Sequence, residues 1–223
     1  MQTIQGILFE PVGCLAEFSP EPFLEIAARL SLPGPAGRRL AGRKKKASKS
    51  ASRSYWHALN LMEASGCDAI EAAAIETIEM QAVESAAIYE DVIPALAELK
   101  AMDIRLTIAS SLSSAAVGRF LERSSLLHFD GVWNRDNSGG IKAAPLRSAL
   151  AGIRLEPCRV MFLTDTAEGL KVAESAGVNS ILMMNDPDES RRLAMLNPAG
   201  GIVSLHELPD FIRLLRSRAQ PSI

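Results

Sequence analysis

The feature that most limits what this chain can fold into is a change of period near Tyr89. Beyond that point, short apolar runs alternate with helical segments. Residues 104–109, 129–133, 160–163, 180–184 and 201–204 read as strands. The stretch holding Ile93, Leu96 and Leu99, together with 115–121, 146–150, 169–176 and 208–216, reads as helices. Strands separated by helices of this length need crossover connections, and so build a parallel sheet with helices on both faces. Earlier in the chain, Ile4 to Phe9 is an apolar run closed by Pro11 and Gly13, which predicts a buried strand ending in a loop. Between about 17 and 87 the pattern is helical throughout. Phe23, Ile26, Ala27 and Leu30 recur at helical spacing, Pro33-Gly34-Pro35 breaks the chain, and 55–62 and 69–87 continue in Ala- and Glu-rich style. An all-helical block thus interrupts an α/β chain just after its first strand.

With 223 residues, 48% hydrophobic and 22% charged, the chain has apolar material for one α/β core and a modest insertion. A net charge of -2 gives no general reason to expect nucleic acid or a membrane surface as partner. Cys14, Cys67 and Cys158 are far apart and include no C-x-x-C pair. That spacing argues against a disulfide framework or zinc site and fits a reducing cytoplasm. The opening Met1 to Gly6 lacks a basic leader, and no run approaches the roughly 18 to 20 apolar residues that span a bilayer. The expectation is a soluble, cytoplasmic protein, monomer or homodimer.

In open parallel sheets ligands sit beyond the carboxyl ends of the strands. The residues there are Glu10, then Ser110 and Ser111, Lys142 in a nearby loop, and Thr164-Asp165-Thr166. Lysine and hydroxyls suit phosphate oxygens, and the acids suit Mg²⁺.

These residues resemble the motifs of the haloacid dehalogenase-like hydrolase superfamily. Ile7 to Leu15 is similar to its first motif, Asp-x-Asp-Gly-Thr-Leu after an apolar strand. Thr107-Ile108-Ala109-Ser110 resembles the second, Gly140 to Pro145 the third around Lys142, and Phe162 to Leu170 the fourth. The resemblance is nearest to the phosphoglycolate phosphatase and β-phosphoglucomutase type. It implies a Rossmann-like core at 1–16 and 89–223 with a helical cap at 17–88, a cleft for a small phosphorylated metabolite, and Mg²⁺ held by Glu10 and Asp165. Ser110, Ser111 and Lys142 would bind phosphate.

Two departures bear on activity. Where the family has its nucleophilic Asp, this chain has Glu10; where it has the acid/base Asp, this chain has Val12. Glu10 keeps the charge but adds a methylene, and a misplacement of about 1 Å can cost on the order of 100-fold. Val12 has no proton to exchange, a role worth about 100- to 10,000-fold. Thr164 replaces an acid of the fourth motif and Cys14 replaces a supporting Thr, so Mg²⁺ binding is expected to be weak or lost.

Each residue also has a plainer reading: Lys142 in a surface loop, Ser110 and Asp165 as helix caps, Glu10 as a solvated loop acid. Tyr55-Trp56 reads as core of the helical block, and His57, His128 and His206 are scattered singly. Arg38, Arg39, Arg43, Lys44, Lys45, Lys46, Lys49 and Arg53 crowd one segment, interleaved with serines. A solvated loop leading into a helix, a patch for an anionic ligand or partner, and a nucleic-acid arm stay open there, the last lacking interleaved aromatics. The expectation is a hydrolase-family protein that has lost standard phosphatase activity. The alternatives are an atypical Mg²⁺-dependent hydrolase using Glu10, and a module that binds a ligand or protein through the basic segment.

Overall fold

The computed structural model describes residues 3–31, 50–126 and 128–219. In chain order these form β1 (Gly6–Phe9), β2 (Ala16–Glu17), α1 (Glu21–Ser31), α2 (Ala51–Ser65), α3 (Ala69–Ser85), β3 (Ala87–Ile88), α4 (Val92–Ala101), β4 (Arg105–Ala109) and α5 (Ser114–Arg123). After them come β5 (Gly131–Trp133), α6 (Ala143–Ile153), β6 (Val160–Thr164), α7 (Ala167–Ser175), β7 (Asn179–Met183), α8 (Pro187–Leu193), β8 (Gly200–Ile202) and α9 (Glu207–Ala219).

Six strands make one sheet in the order β5-β4-β1-β6-β7-β8, and every pairing in it is parallel. β1 lies between β4 and β6, and the chain builds outward from it first to one side and then to the other. The strand order therefore reverses at β1, which puts a crevice at its carboxyl end. All four residues of β1 are buried. Ile7 and Phe9 face a large core shared with the helical block, while Leu8 faces a second cluster with Leu146, Ala149 and Phe162. Apolar side chains on both faces of a strand are what a doubly covered parallel sheet requires.

The α/β reading of the chain agrees with this sheet, with boundaries shifted at the ends. α7 begins at Ala167 because Thr166 caps it, its hydroxyl accepting from Gly169 N at 3.1 Å. Two elements leave no periodic trace in the sequence. One is the antiparallel ribbon β2–β3, where Ala16 pairs with Ile88 and Glu17 with Ala87. It brings together the two ends of the helical block, α1 to α3. The other is α8, which carries Pro187 in its first turn behind the capping Asp186. Phe23 and Tyr55 stack at 5.0 Å between ring centroids in the centre of the block, where Tyr55 and Trp56 are buried as core. Of the basic run, residues 38–49 lie outside the described residues. Arg53 sits in α2 and pairs with Glu189 at 3.3 Å. Among the described residues no helix is long and apolar enough to cross a membrane.

Candidate functional site

Glu10 leaves the end of β1 and stays inside the protein, 7% exposed among the buried Phe9, Val12 and Cys14. The reading of Glu10 as a solvated loop acid is therefore corrected, because β1 is central and its end is covered by the helical block. Ser110, at the end of β4, donates its hydroxyl to Glu10 Oε1 at 2.7 Å. Burial pushes the Glu10 carboxyl from 4.5 up to about 8. The Ser110 hydrogen bond and the Val12 and Ser111 amides pull it down, and the charge of Asp165 pushes it up. At pH 7 the group is mostly a neutral acid. Val12 is 1% exposed and packs in the main core.

Asp165 follows β6 and is half-buried, at the edge of an opening. Its Oδ2 accepts Ser52 Oγ at 2.6 Å and Asn185 Nδ2 at 3.2 Å. Asn185 also donates to the Gly13 carbonyl at 2.7 Å, fastening the loop after β7 to the loop after β1. Burial raises Asp165 to about 6, opposed by the hydrogen bonds from Ser52 and Asn185. Gly13 is required at this point. Its φ is +78°, and a Cβ there would collide with Ser52 Oγ and the Asp165 carboxylate.

Ser111 is buried, and its hydroxyl accepts the backbone N–H of Lys142 at 2.7 Å. Lys142 itself has φ +60° and ψ -103° at the start of α6, a conformation that side-chain-bearing residues seldom adopt. Its ammonium meets Glu63 of α2 at 2.5 Å. The capping readings fall to neighbours: Ser113 caps α5, accepting from Ala116 N at 3.2 Å, and Thr166 caps α7. Ser110 and Asp165 are thereby left to face the cleft.

The structure thus joins Glu10 to Ser110, Ser111 to the Lys142 backbone, and Asp165 to Glu10 through space. Three contributors were missed from the sequence: Ser52, Glu63 and Asn185. Ser52 stands in the serine-rich run that opens α2, but nothing local marks a partner more than 100 positions away. The buried Tyr55 hydroxyl also lies beside Glu10 and Ser110, near enough to Ser110 to interact with it but without a well-formed hydrogen bond among the described residues.

A cavity of about 290 Å³ opens beside Gly13, Ser52, Asp165 and Asn185 and also touches Glu17, Arg53, Asp186 and Glu189. Arg53 is already paired there with Glu189, so the opening is acidic. A larger hollow of about 340 Å³, around Arg105, Trp133 and Gly152, touches none of the site residues. Among the described residues no group of three or more His, Cys, Asp or Glu side chains converges as a possible ion site.

On its other side the helical block is held by α3. Arg135 forms an ion pair with Glu79, both largely buried, and Glu79 accepts Ser113 N at 3.1 Å. Burial pushes Glu79 up while Arg135 opposes it. Nearby, Arg119 pairs with Glu84 at 2.6 Å and Arg123 donates to the Val83 carbonyl at 2.8 Å.

A family model described as haloacid dehalogenase-like hydrolase matches residues 46–183. The match begins beyond Glu10 and Val12. Among curated proteins, the enolase-phosphatase E1 of Shewanella woodyi is 28% identical over 106 residues, which is 46% of this chain and 47% of that protein. The enolase-phosphatase E1 of Danio rerio is 30% identical over 96 residues, covering 41% of this chain and 37% of that protein. The aligned part of the chain spans less than half the length of these relatives. Among solved structures, a predicted phosphatase from Clostridium acetobutylicum superposes with TM-score 0.68 at 16% identity, covering 96% of this chain and 100% of that one. A haloacid dehalogenase-like family protein from Streptococcus pneumoniae gives 0.67 at 17% identity, covering 95% and 99%. L-2-haloacid dehalogenase from Xanthobacter autotrophicus, with chloropropionic acid covalently bound, gives 0.60 at 16% identity, covering 95% and 99%. At these identities the superpositions speak for the fold.

Proposed function

The chain belongs to the haloacid dehalogenase-like hydrolase family, and from that premise we propose that it has lost standard phosphomonoester turnover and uses its cleft to bind a small phosphorylated or otherwise anionic ligand. The observation that carries this reading is the pair of buried residues at the two catalytic positions, Glu10 and Val12. A nucleophilic carboxylate must be ionised and correctly placed. Glu10 is hydrogen-bonded to Ser110 and one methylene longer than the family's Asp, and burial pushes its carboxyl up to about 8, against ionisation. Val12 has no proton to give a leaving group and no basic atom to take one from water.

The donor set also does not fit Mg²⁺, which wants ionised oxygen ligands in near-octahedral array together with several waters. Asp165 Oδ2 already accepts Ser52 and Asn185, Glu10 Oε1 accepts Ser110, and among the described residues no third acid joins them. No step is therefore routed through a metal. What supports binding is Lys142, which stands apart from the acidic opening beside Asp165 and whose Glu63 partner is 64% exposed and can be exchanged for another anion.

Purified protein with Mg²⁺ and p-nitrophenyl phosphate should show no metal-dependent turnover above background. The double variant Glu10→Asp, Val12→Asp should gain measurable turnover, because it returns both groups to a site whose serines and lysine are still present. Clear metal-dependent rates in the unaltered protein would overturn the reading.

A further inference from the structure

The hollow of about 340 Å³ lies away from Glu10, beside the starts of β4 and β5 and the last turn of α6, at one edge of the sheet. Two glycines shape it. At Gly152 a Cβ would stand 2.6 Å from the Trp133 ring, and at Gly131 one would stand 3.4 Å from the indole Nε1. The half-buried indole thus lies back over Gly131, with its N–H edge at the hollow. Thr107 sits opposite Gly131 in the ladder and is only 2% exposed, and its Oγ1 lies 3.6 Å from the place that Cβ would take. Neither the Thr107 hydroxyl nor the Trp133 N–H makes a hydrogen bond among the described residues. A hydroxyl so enclosed is ordinarily satisfied, and here its reach is into the hollow.

The charges at the mouth favour an acceptor. Arg105 Nη1 donates to the Ile153 carbonyl at 2.6 Å, which fixes the guanidinium at the end of α6 with further N–H groups in hand. The one acid there, Asp130, is spent: its carboxylate takes Lys100 Nζ at 2.8 Å and the Leu106 amide at 2.7 Å. What is left is one positive charge, an indole N–H and a hydroxyl, all donors, beside an aromatic ring and a glycine floor that admits a flat body. We propose that this hollow is a second binding site, built for a small planar monocarboxylate that sets its acid group on Arg105, Thr107 and Trp133 and its ring against the indole. Arginine matches a carboxylate through its planar fork, and a ring beside tryptophan adds an aromatic contact. The site stands independently of the reading of Glu10.

Benzoate is the probe, added to the full chain and followed through the indole N–H resonances of the two tryptophans by NMR. It should move the Trp133 resonance in a saturable way and leave that of Trp56, in the helical block, in place. Benzamide, of the same shape without the charge, should bind roughly ten-fold more weakly or worse. Thr107→Val keeps the side-chain shape and removes the hydroxyl, and should weaken benzoate about two- to ten-fold. Gly131→Ala should fold normally, since its Cβ meets no atom closer than 3.4 Å, and should lose most of the affinity by filling the floor. An unmoved Trp133 resonance at millimolar benzoate, equal affinity for benzamide, or full affinity in both variants would each overturn the proposal. Phosphatase turnover, measured separately, bears on Glu10 and leaves these outcomes as they are.

Discussion

Replacing Glu10 by glutamine should leave the protein with a flatter stability profile between pH 5 and pH 8. The carboxyl ionises near 4.5 when unfolded and near 8 when folded, with burial as the main cause. Below 4.5 both states carry the proton and the group costs nothing. As pH rises, the unfolded chain releases its proton while the folded one keeps it, so stability falls by about 1.36 kcal/mol per pH unit. The loss is complete once pH passes the folded value, and totals on the order of 5 kcal/mol if no water enters the site. Between pH 5 and pH 8 the share is about 4 kcal/mol. Glutamine cannot ionise, and its carbonyl can still accept from Ser110. Its amide nitrogen brings a constant penalty of about 1–3 kcal/mol if unpaired, which shifts the whole curve without tilting it. Asp165 titrates in both proteins and cancels to first order. Urea denaturation at four pH values, followed by the fluorescence of Trp56 in the helical block and Trp133 in the sheet, gives both curves. They should differ increasingly with pH, by roughly 3–4 kcal/mol more at pH 8 than at pH 5. Curves that stay parallel within about 0.5 kcal/mol would refute a buried, neutral Glu10.

Tyr55→Phe removes a buried hydroxyl that makes no well-formed hydrogen bond among the described residues and should be neutral or stabilising by up to about 1 kcal/mol in thermal melts; a clear loss would mean the phenol is bonded to Ser110 in solution. Glu79→Ala strands Arg135 in a largely buried position and should cost on the order of 3–5 kcal/mol, whereas Glu79→Leu with Arg135→Met should recover much of that. Equal losses in the single and double variants would show that the ion pair is not what anchors α3.

Much of the architecture can be read in the chain because strands and helices leave periodic traces. The apolar run before Glu10 is visible as β1, and the rule of strand ends leads to Ser110, Ser111 and Asp165. What escapes has physical reasons. Strands of two residues, such as β2 and β3, are too short to show alternation. Helix α8 is Pro-Asp-Glu-Ser-Arg-Arg-Leu, with too few apolar positions to mark a face; its signal is the Asp186-Pro187 start. Burial of Glu10 is not written near Glu10, since the walls that enclose it come from elsewhere in the chain. Ser52 and Glu63 read as ordinary helix residues until the fold lays α2 against the ends of β6 and α6. The serines at 110 and 113 show the same limit in miniature: both are able to cap, and only the three-dimensional arrangement assigns the cap to Ser113 and Glu10 to Ser110.

The place of β1 between β4 and β6 also sets a timetable for synthesis. Phe9 pairs with Ile108 on one side and with Leu163 on the other. A strand made before both of its neighbours, apolar on both faces, must therefore wait until Leu163 has been made before its second edge can close. Pairings so distant along the chain are slow to form, and meanwhile the open edge is available to chaperones or to other nascent chains. The helices α1 to α3 have no such delay, and can assemble around Phe23 and Tyr55 while the sheet that will carry them is still incomplete.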